Sequence, residues 1–126
     1  YACIAEHEIR LETRTLNGDL KPLIEQIANK MMCKQFVVTR GRQGALVRDV
    51  AGDFIEIPSF AQNIVDRVGA GDAFFAITSL AASLSTPAEI IGFIGNAVGS
   101  LAVEIVGNKK SIDKKSTLKF ISKMLR

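Results

Sequence analysis

Two apolar stretches, Ala73 to Leu84 and Ile90 to Val103, constrain this chain more than anything else in it. A helix built from either is apolar on nearly every side and needs cover on more than one of them. Neither reaches the roughly 20 apolar residues of a membrane-spanning helix, and they carry Thr78, Ser79, Asn96 and Ser100. They read as buried helices of a soluble protein. The first is expected from about Gly71 to Leu84. The second opens on Thr86-Pro87-Ala88-Glu89, a capping box with proline at the first helical position, and is expected to end near Ile105, ahead of Gly107. Gly92, Gly95 and Gly99 form a small-residue stripe along it. Glycine costs about 1 kcal/mol inside a helix, so the stripe reads as permitting close packing rather than as binding a ligand.

The rest of the chain supplies strands for these helices to cover. Tyr1 to Ala5 and Phe36 to Thr39 are short apolar runs that suit buried strands. Ala45 to Arg48 and Phe54 to Ile57 flank Ala51-Gly52-Asp53 as a hairpin, stopped by Pro58. Asp19 is placed to cap a helix from Leu20 to about Met32, whose Leu23, Ile24, Ile27, Ala28 and Met31 fall on one face. A last helix, Lys114 to Leu125, puts Leu118, Ile121 and Leu125 on one face and its lysines in water. The mixed order indicates α/β architecture, helices packed on a sheet. So few strands leave open edges, and the chain starts at Tyr1 rather than Met. Both lead us to expect a piece of something longer.

Bulk properties exclude several classes. At 126 residues and 48% hydrophobic content the chain suits one globular domain. The net charge of +3 is mild and concentrated between Lys109 and Arg126, where a solvated helix face explains it better than nucleic-acid binding. Cys3 and Cys33 fall in no motif and read as reduced, packed thiols. His7 stands alone, which is too few ligands for zinc.

Chemistry concentrates in Asp66-Arg67-Val68-Gly69-Ala70-Gly71-Asp72. Small residues let a backbone approach an anion closely. A helix start leaves N–H groups unpartnered at the positive end of the macrodipole. Together these make a phosphate site, and Asp72, in the first turn, is a carboxylate placed to accept a proton from a hydroxyl. That combination suits phosphoryl transfer to an alcohol. The segment read alone is equally a tight turn followed by a helix-stabilising charge. It is not a Walker loop, because the Gly-Lys-Ser/Thr ending is absent. It is not a dinucleotide fingerprint, because it does not open a βαβ unit.

The segment 66–72 resembles the PfkB signature Asp-Thr-x-Gly-Ala-Gly-Asp of carbohydrate kinases. Thr39-Arg40-Gly41-Arg42-Gln43-Gly44 resembles that family's Thr-x-Gly-x-x-Gly nucleotide segment. Gly95-Asn96-Ala97 is similar to its Asn-Ala stretch beside the adenine pocket, and Glu6-His7-Glu8 to its Asn-x-x-Glu motif. The motifs occur in family order along almost the whole chain. The resemblance implies a ribokinase-like three-layer α/β/α sandwich, of which 1–126 is the C-terminal, nucleotide-binding portion, with the sugar-binding half missing. It implies ATP-dependent phosphorylation of a sugar or sugar phosphate in the cytoplasm. Asp72 would be the base, and the N–H groups of Gly69, Ala70, Gly71 and Asp72 the anion hole. Thr39, Gly41, Gly44 and Asn96 would hold the nucleotide. Glu8 would act on Mg2+ through water, and Asp66 would order the loop and, as in some relatives, serve a monovalent cation.

Two positions depart from the pattern. Ala5 stands where the Asn of Asn-x-x-Glu would be, so Glu8 reads equally as a solvated glutamate at a strand end. Arg67 replaces threonine, either adding positive charge near the phosphates or facing solvent. The run Ile57 to Ala61 with Asp66-Arg67-Val68, and Gly107-Asn108-Lys109 near the end, resemble sugar-kinase domains related to heptose-phosphate kinases. That likeness implies a heptose or another sugar phosphate as acceptor and, in some relatives, a linked nucleotidyltransferase domain; a homodimer is a further expectation. The alternative function is a non-catalytic nucleotide-binding or assembly module, for which the altered Asn-x-x-Glu motif speaks and the intact Asp72 does not.

Overall fold

The computed structural model describes residues 1–61, 65–66, 68–105 and 109–125. Arg67, Gly107 and Asn108, singled out above, lie outside the described residues. The strands β1 (Ala2–Ala5), β2 (Phe36–Thr39), β3 (Ala45–Arg48) and β4 (Phe54–Ile57) form one sheet in the order β1-β2-β3-β4. β1 and β2 are parallel, and the remaining pairs are antiparallel. The crossover between the parallel strands carries α1 (Glu6–Glu12) and α2 (Leu20–Lys30). After the sheet come α3 (Ala70–Ser83), α4 (Ala88–Ala102) and α5 (Lys114–Met124).

Successive strand residues face opposite sides of a sheet, and here both sides are apolar. Phe36, Val38 and Leu46 pack with Ile9 of α1 and with Leu23, Ile24 and Ile27 of α2. Val37, Ala45 and Val47 pack with Phe74 of α3 and Ala88 of α4. Even the short outer strands divide this way, with Ile4 and Phe54 on the first side and Cys3, Ile55 and Ile57 on the second. The result is the expected α/β/α sandwich in three layers. Among the described residues no helix is long and apolar enough to cross a membrane.

The glycine stripe of α4 brings that helix close to both neighbours. A Cβ on Gly92 would come within 2.6 Å of Ile57 and 3.0 Å of Val47, and one on Gly95 within 2.5 Å of the Phe74 ring. Gly99 has ordinary space, 3.8 Å to Phe74. The stripe is therefore a packing feature, and two of its three glycines are required.

Several expectations need correction. The helix α1 is not foreshadowed, because Ala5 offers no capping side chain. Its start is stabilised instead by the Glu8 carboxylate, which accepts from the Ala5 N–H at 2.8 Å. The sequence after Thr86 does not form a capping box: Pro87 is the N-cap, with no side-chain cap hydrogen bond, and α4 ends at Ala102. Only Phe74 and Thr78 of α3 are buried, and Phe75, Leu80 and Leu84 are exposed, so this chain covers only one side of that helix. The apolar face expected on α5 is likewise uncovered at Leu118 and Leu125.

Both cysteines are free thiols. Burial pushes the Cys3 thiol up to about 12 from an ordinary 9.0. A thiol that resists ionisation in the folded state favours folding below its unfolded value, and that contribution is lost as pH rises through the folded one. Unfolding free energy is therefore expected to fall between pH 9 and 12 in urea titrations, and less steeply in Cys3→Val. Gly95→Ala should destabilise by about 1–3 kcal/mol through overpacking. Gly99→Ala should be neutral or stabilising by up to about 1 kcal/mol, a contrast that the same titrations would register.

Candidate active site

In register, Ala5, Thr39, Ala45 and Ile57 make one edge of the sheet. The carboxyl ends of the two parallel strands open there, which is where α/β sheets bind ligands. The placement of α3 follows from its contacts with β1 and α4. The Tyr1 hydroxyl, before β1, donates to Thr78 Oγ1 at 2.7 Å, and the Tyr1 ring stacks on Phe75 at 6.1 Å. Burial holds the Tyr1 phenol far above its usual range, so it stays a neutral donor. Thr78 is thus tied to the beginning of β1, while Phe74, one turn earlier, lies against Gly95 and Gly99 of α4 and residues 65–66 bond to the Val103 carbonyl past that helix, so α3 starts toward the end of α4.

Gly69 is the N-cap of α3 and takes a left-handed conformation, φ 80°, which glycine adopts without the usual penalty. The first hydrogen bond of the helix runs from the Ala73 N–H to the Gly69 carbonyl at 2.9 Å, so the N–H groups of Ala70, Gly71 and Asp72 precede the helical ladder. A Cβ on Gly71 would meet nothing within 4 Å, and the Asp72 side chain in this turn is exposed. The preceding loop is tied down at Asp66. Its carboxylate accepts from the Val68 N–H at 3.0 Å, and the N–H groups of Val65 and Asp66 both donate to the Val103 carbonyl at 2.9 Å, just past α4.

The turn from β2 to β3 sits at the same edge. Thr39 ends β2, and Gly41–Gln43 form one turn of 3-10 helix closed by Arg40 N–H to Gly44 O at 2.8 Å. Gly44 has φ 85° and ψ −128°, and a Cβ there would lie 2.7 Å from the backbone of Pro58 and Ser59. Asn96, buried on α4, donates its amide to the carbonyls of Ile57 and Pro58, each at 3.3 Å. The structure thus brings Gly44 and Asn96 together on the segment 57–59. Glu8 stands apart from them at the start of α1, engaged with Ala5. Among the described residues no cluster of three or more metal-ligating side chains forms.

A network that the motifs did not reveal runs beside this edge. Glu6 is gripped by Arg10 at 2.8 Å and meets Arg40 Nε at 3.4 Å. The Glu6–Arg10 spacing, one helical turn, was a usable signal, but it needed α1 to be recognised first.

A sandwich of this form is the fold of ribokinase-type kinases. Escherichia coli phosphofructokinase-2, solved in complex with potassium, superposes with TM-score 0.83 at 23% identity, covering 98% of this chain and 40% of that one. Arabidopsis thaliana ribokinase, solved with ribose and ATP, gives 0.79 at 25% identity over 94% of this chain and 39% of that one. A curated relative, 2-dehydro-3-deoxygalactonokinase of Haloferax volcanii, is 34% identical over 104 residues, which is 82% of this chain and 32% of the relative. The profile of the pfkB family of carbohydrate kinases matches residues 1–115, and the chain belongs to that family. It spans about a third of its curated relative and two-fifths of the solved ones.

Gly44→Ala should cost well over the roughly 1–2 kcal/mol of a left-handed alanine, because backbone on both sides must move. Gly41→Ala, at φ 56° with open space around it, should cost only that smaller amount. Comparing their unfolding midpoints separates the two.

Proposed function

We propose that this chain is the nucleotide-binding part of an ATP-dependent sugar kinase whose sugar-binding half lies outside it, with Asp72 as the base. The carrying observation is the first turn of α3, where an exposed carboxylate stands beside N–H groups that precede the helical ladder, around an open Gly71. Asp72 accepts the proton of the sugar hydroxyl as that oxygen attacks the terminal phosphoryl group of ATP, whose bond to the bridging oxygen breaks to release ADP. The N–H groups of Gly69, Ala70, Gly71 and Asp72 hold the charge on the transferring phosphoryl, at the positive end of the helix dipole. Thr39, Gly41 and Gly44 line the nucleotide. Asn96 acts near the base or ribose by fixing the segment 57–59.

Mg2+ binds through one or two carboxylates and substrate phosphates, and when bound it neutralises charge on the phosphates. The carboxylates of Glu8 and Asp66 fit that donor chemistry, Glu8 through water. Asp66 also fits a monovalent cation, in line with the potassium complex of the Escherichia coli relative. For the acceptor, the Haloferax volcanii relative is named for 2-dehydro-3-deoxygalactonate, which stands beside the sugar phosphates, heptose phosphates among them, that the sequence pattern favours. A homodimer, a linked nucleotidyltransferase domain and a cytoplasmic setting remain part of the proposal. The binding-only alternative rests on Ala5 standing where the Asn-x-x-Glu motif has asparagine.

Asp72→Asn in the full-length protein decides between them. The kinase reading expects kcat to fall about 10²–10⁴-fold, the usual worth of a general base, with nucleotide affinity kept. Phosphorylation at near wild-type rate would show the mechanism to be wrong. A panel of sugar acids, hexose phosphates and heptose phosphates, assayed with ATP and Mg2+, identifies the acceptor.

A further inference from the structure

Resting on the kinase reading, we propose that Arg40 is a ligand of the nucleotide phosphates and that Glu6 positions it. Arg40 lies between Thr39 and Gly41, at the carboxyl end of β2. Its side chain is only 23% exposed, held through Nε against Glu6 Oε2 at 3.4 Å. Among the described residues no hydrogen bond engages its two terminal nitrogens, and the one buried side-chain nitrogen without a partner is Nη1 of Arg10. The Arg40 terminal nitrogens therefore reach solvent at the edge where the anion-binding turn opens.

Charge bookkeeping argues that Arg40 is there for something other than Glu6. Arg10 already neutralises that carboxylate, through Nε at 2.9 Å and Nη2 at 2.8 Å, and is itself anchored to the Gly18 carbonyl at 3.1 Å. Two arginines on one glutamate leave one uncompensated positive charge. Glu6 holds Arg40 by its inner nitrogen, which leaves the outer fork free. A planar fork of N–H donors with a fixed base is the geometry that recognises phosphate oxygens in pairs. Arg10 and Glu6 then act as supports that set the direction of the fork.

The test is calorimetric titration of the full-length protein with ADP and, separately, with adenosine, which lacks phosphates. Arg40→Ala should weaken ADP about tenfold or more, the worth of a hydrogen bond to a charged group, and leave adenosine unchanged. Arg40→Lys should recover part of the loss by keeping the charge without the fork. Glu6→Gln should weaken ADP less than Arg40→Ala, and add nothing in the Arg40→Ala background. Unchanged ADP binding in Arg40→Ala, or equal loss of ADP and adenosine, would overturn the proposal while leaving the kinase reading intact. A wild-type protein that binds neither ligand would remove both. An effect of Glu6→Gln that persists without Arg40 would overturn the positioning role.

Discussion

The close approach of α4 to its neighbours sets the geometry on which the rest depends. At Gly92 the helix backbone rests on Val47 and Ile57 of the sheet, and at Gly95 on Phe74 and Thr78 of α3. Side chains at those positions would hold α4 off both. Glycine is unfavourable inside a helix, so the sequence accepts a local penalty to gain contact with two layers. Phe74 is the beneficiary: its ring fills the space beside Gly95 and belongs to the same core as Val37 and Val47. Since α3 is placed by Phe74 from one side and by the Tyr1–Thr78 hydrogen bond from another, its exposed first turn inherits a fixed position.

The segment 57–59 transmits that placement to the turn between β2 and β3. Gly44 lets the β2–β3 turn press directly on its backbone, while Asn96 binds its carbonyls from α4. Two elements distant in sequence are thereby registered against one stretch of main chain. A second tie runs from Val65 and Asp66 to the Val103 carbonyl past the end of α4. The helix that carries the glycine stripe therefore fixes both ends of the loop leading into the signature. Rigid support behind a loop is what a phosphate site needs, since its donors must be held in place before the charge develops.

Much of this was legible in the sequence because the signals were local. The four strands matched their apolar runs, and the stripe at Gly92 and Gly95 announced close packing before any partner was known. Asp19 as a cap was equally readable, and its side chain accepts from the Lys21 N–H. Legibility failed where the signal was relational. Nothing near Ala5 marks a helix start, because the capping carboxylate comes from Glu8, inside the helix. Thr86-Pro87-Ala88-Glu89 has the letters of a capping box, yet Pro87 takes the N-cap position itself. The apolar side of α3 was read as buried all round, but hydrophobicity does not say whether the covering surface belongs to the same chain. For the candidate site, the turn around Gly69 was visible as a motif. The pairing of Asn96 with the carbonyls of Ile57 and Pro58 at the end of β4 was not, since it joins residues 39 and 38 apart.

The departure at Ala5 acquires a physical meaning from α1. Asparagine is among the best N-cap residues, and position 5 is the N-cap of α1. Alanine offers no such cap, and the helix start is held by Glu8 Oε2 on the Ala5 N–H. A carboxylate has two oxygens with several acceptor sites, so this bond leaves capacity in the same side chain. The bond to the Ala5 N–H therefore orders the Glu8 carboxylate without exhausting it. One glutamate thus secures the start of α1, and with it Glu6, which grips Arg10 and meets Arg40.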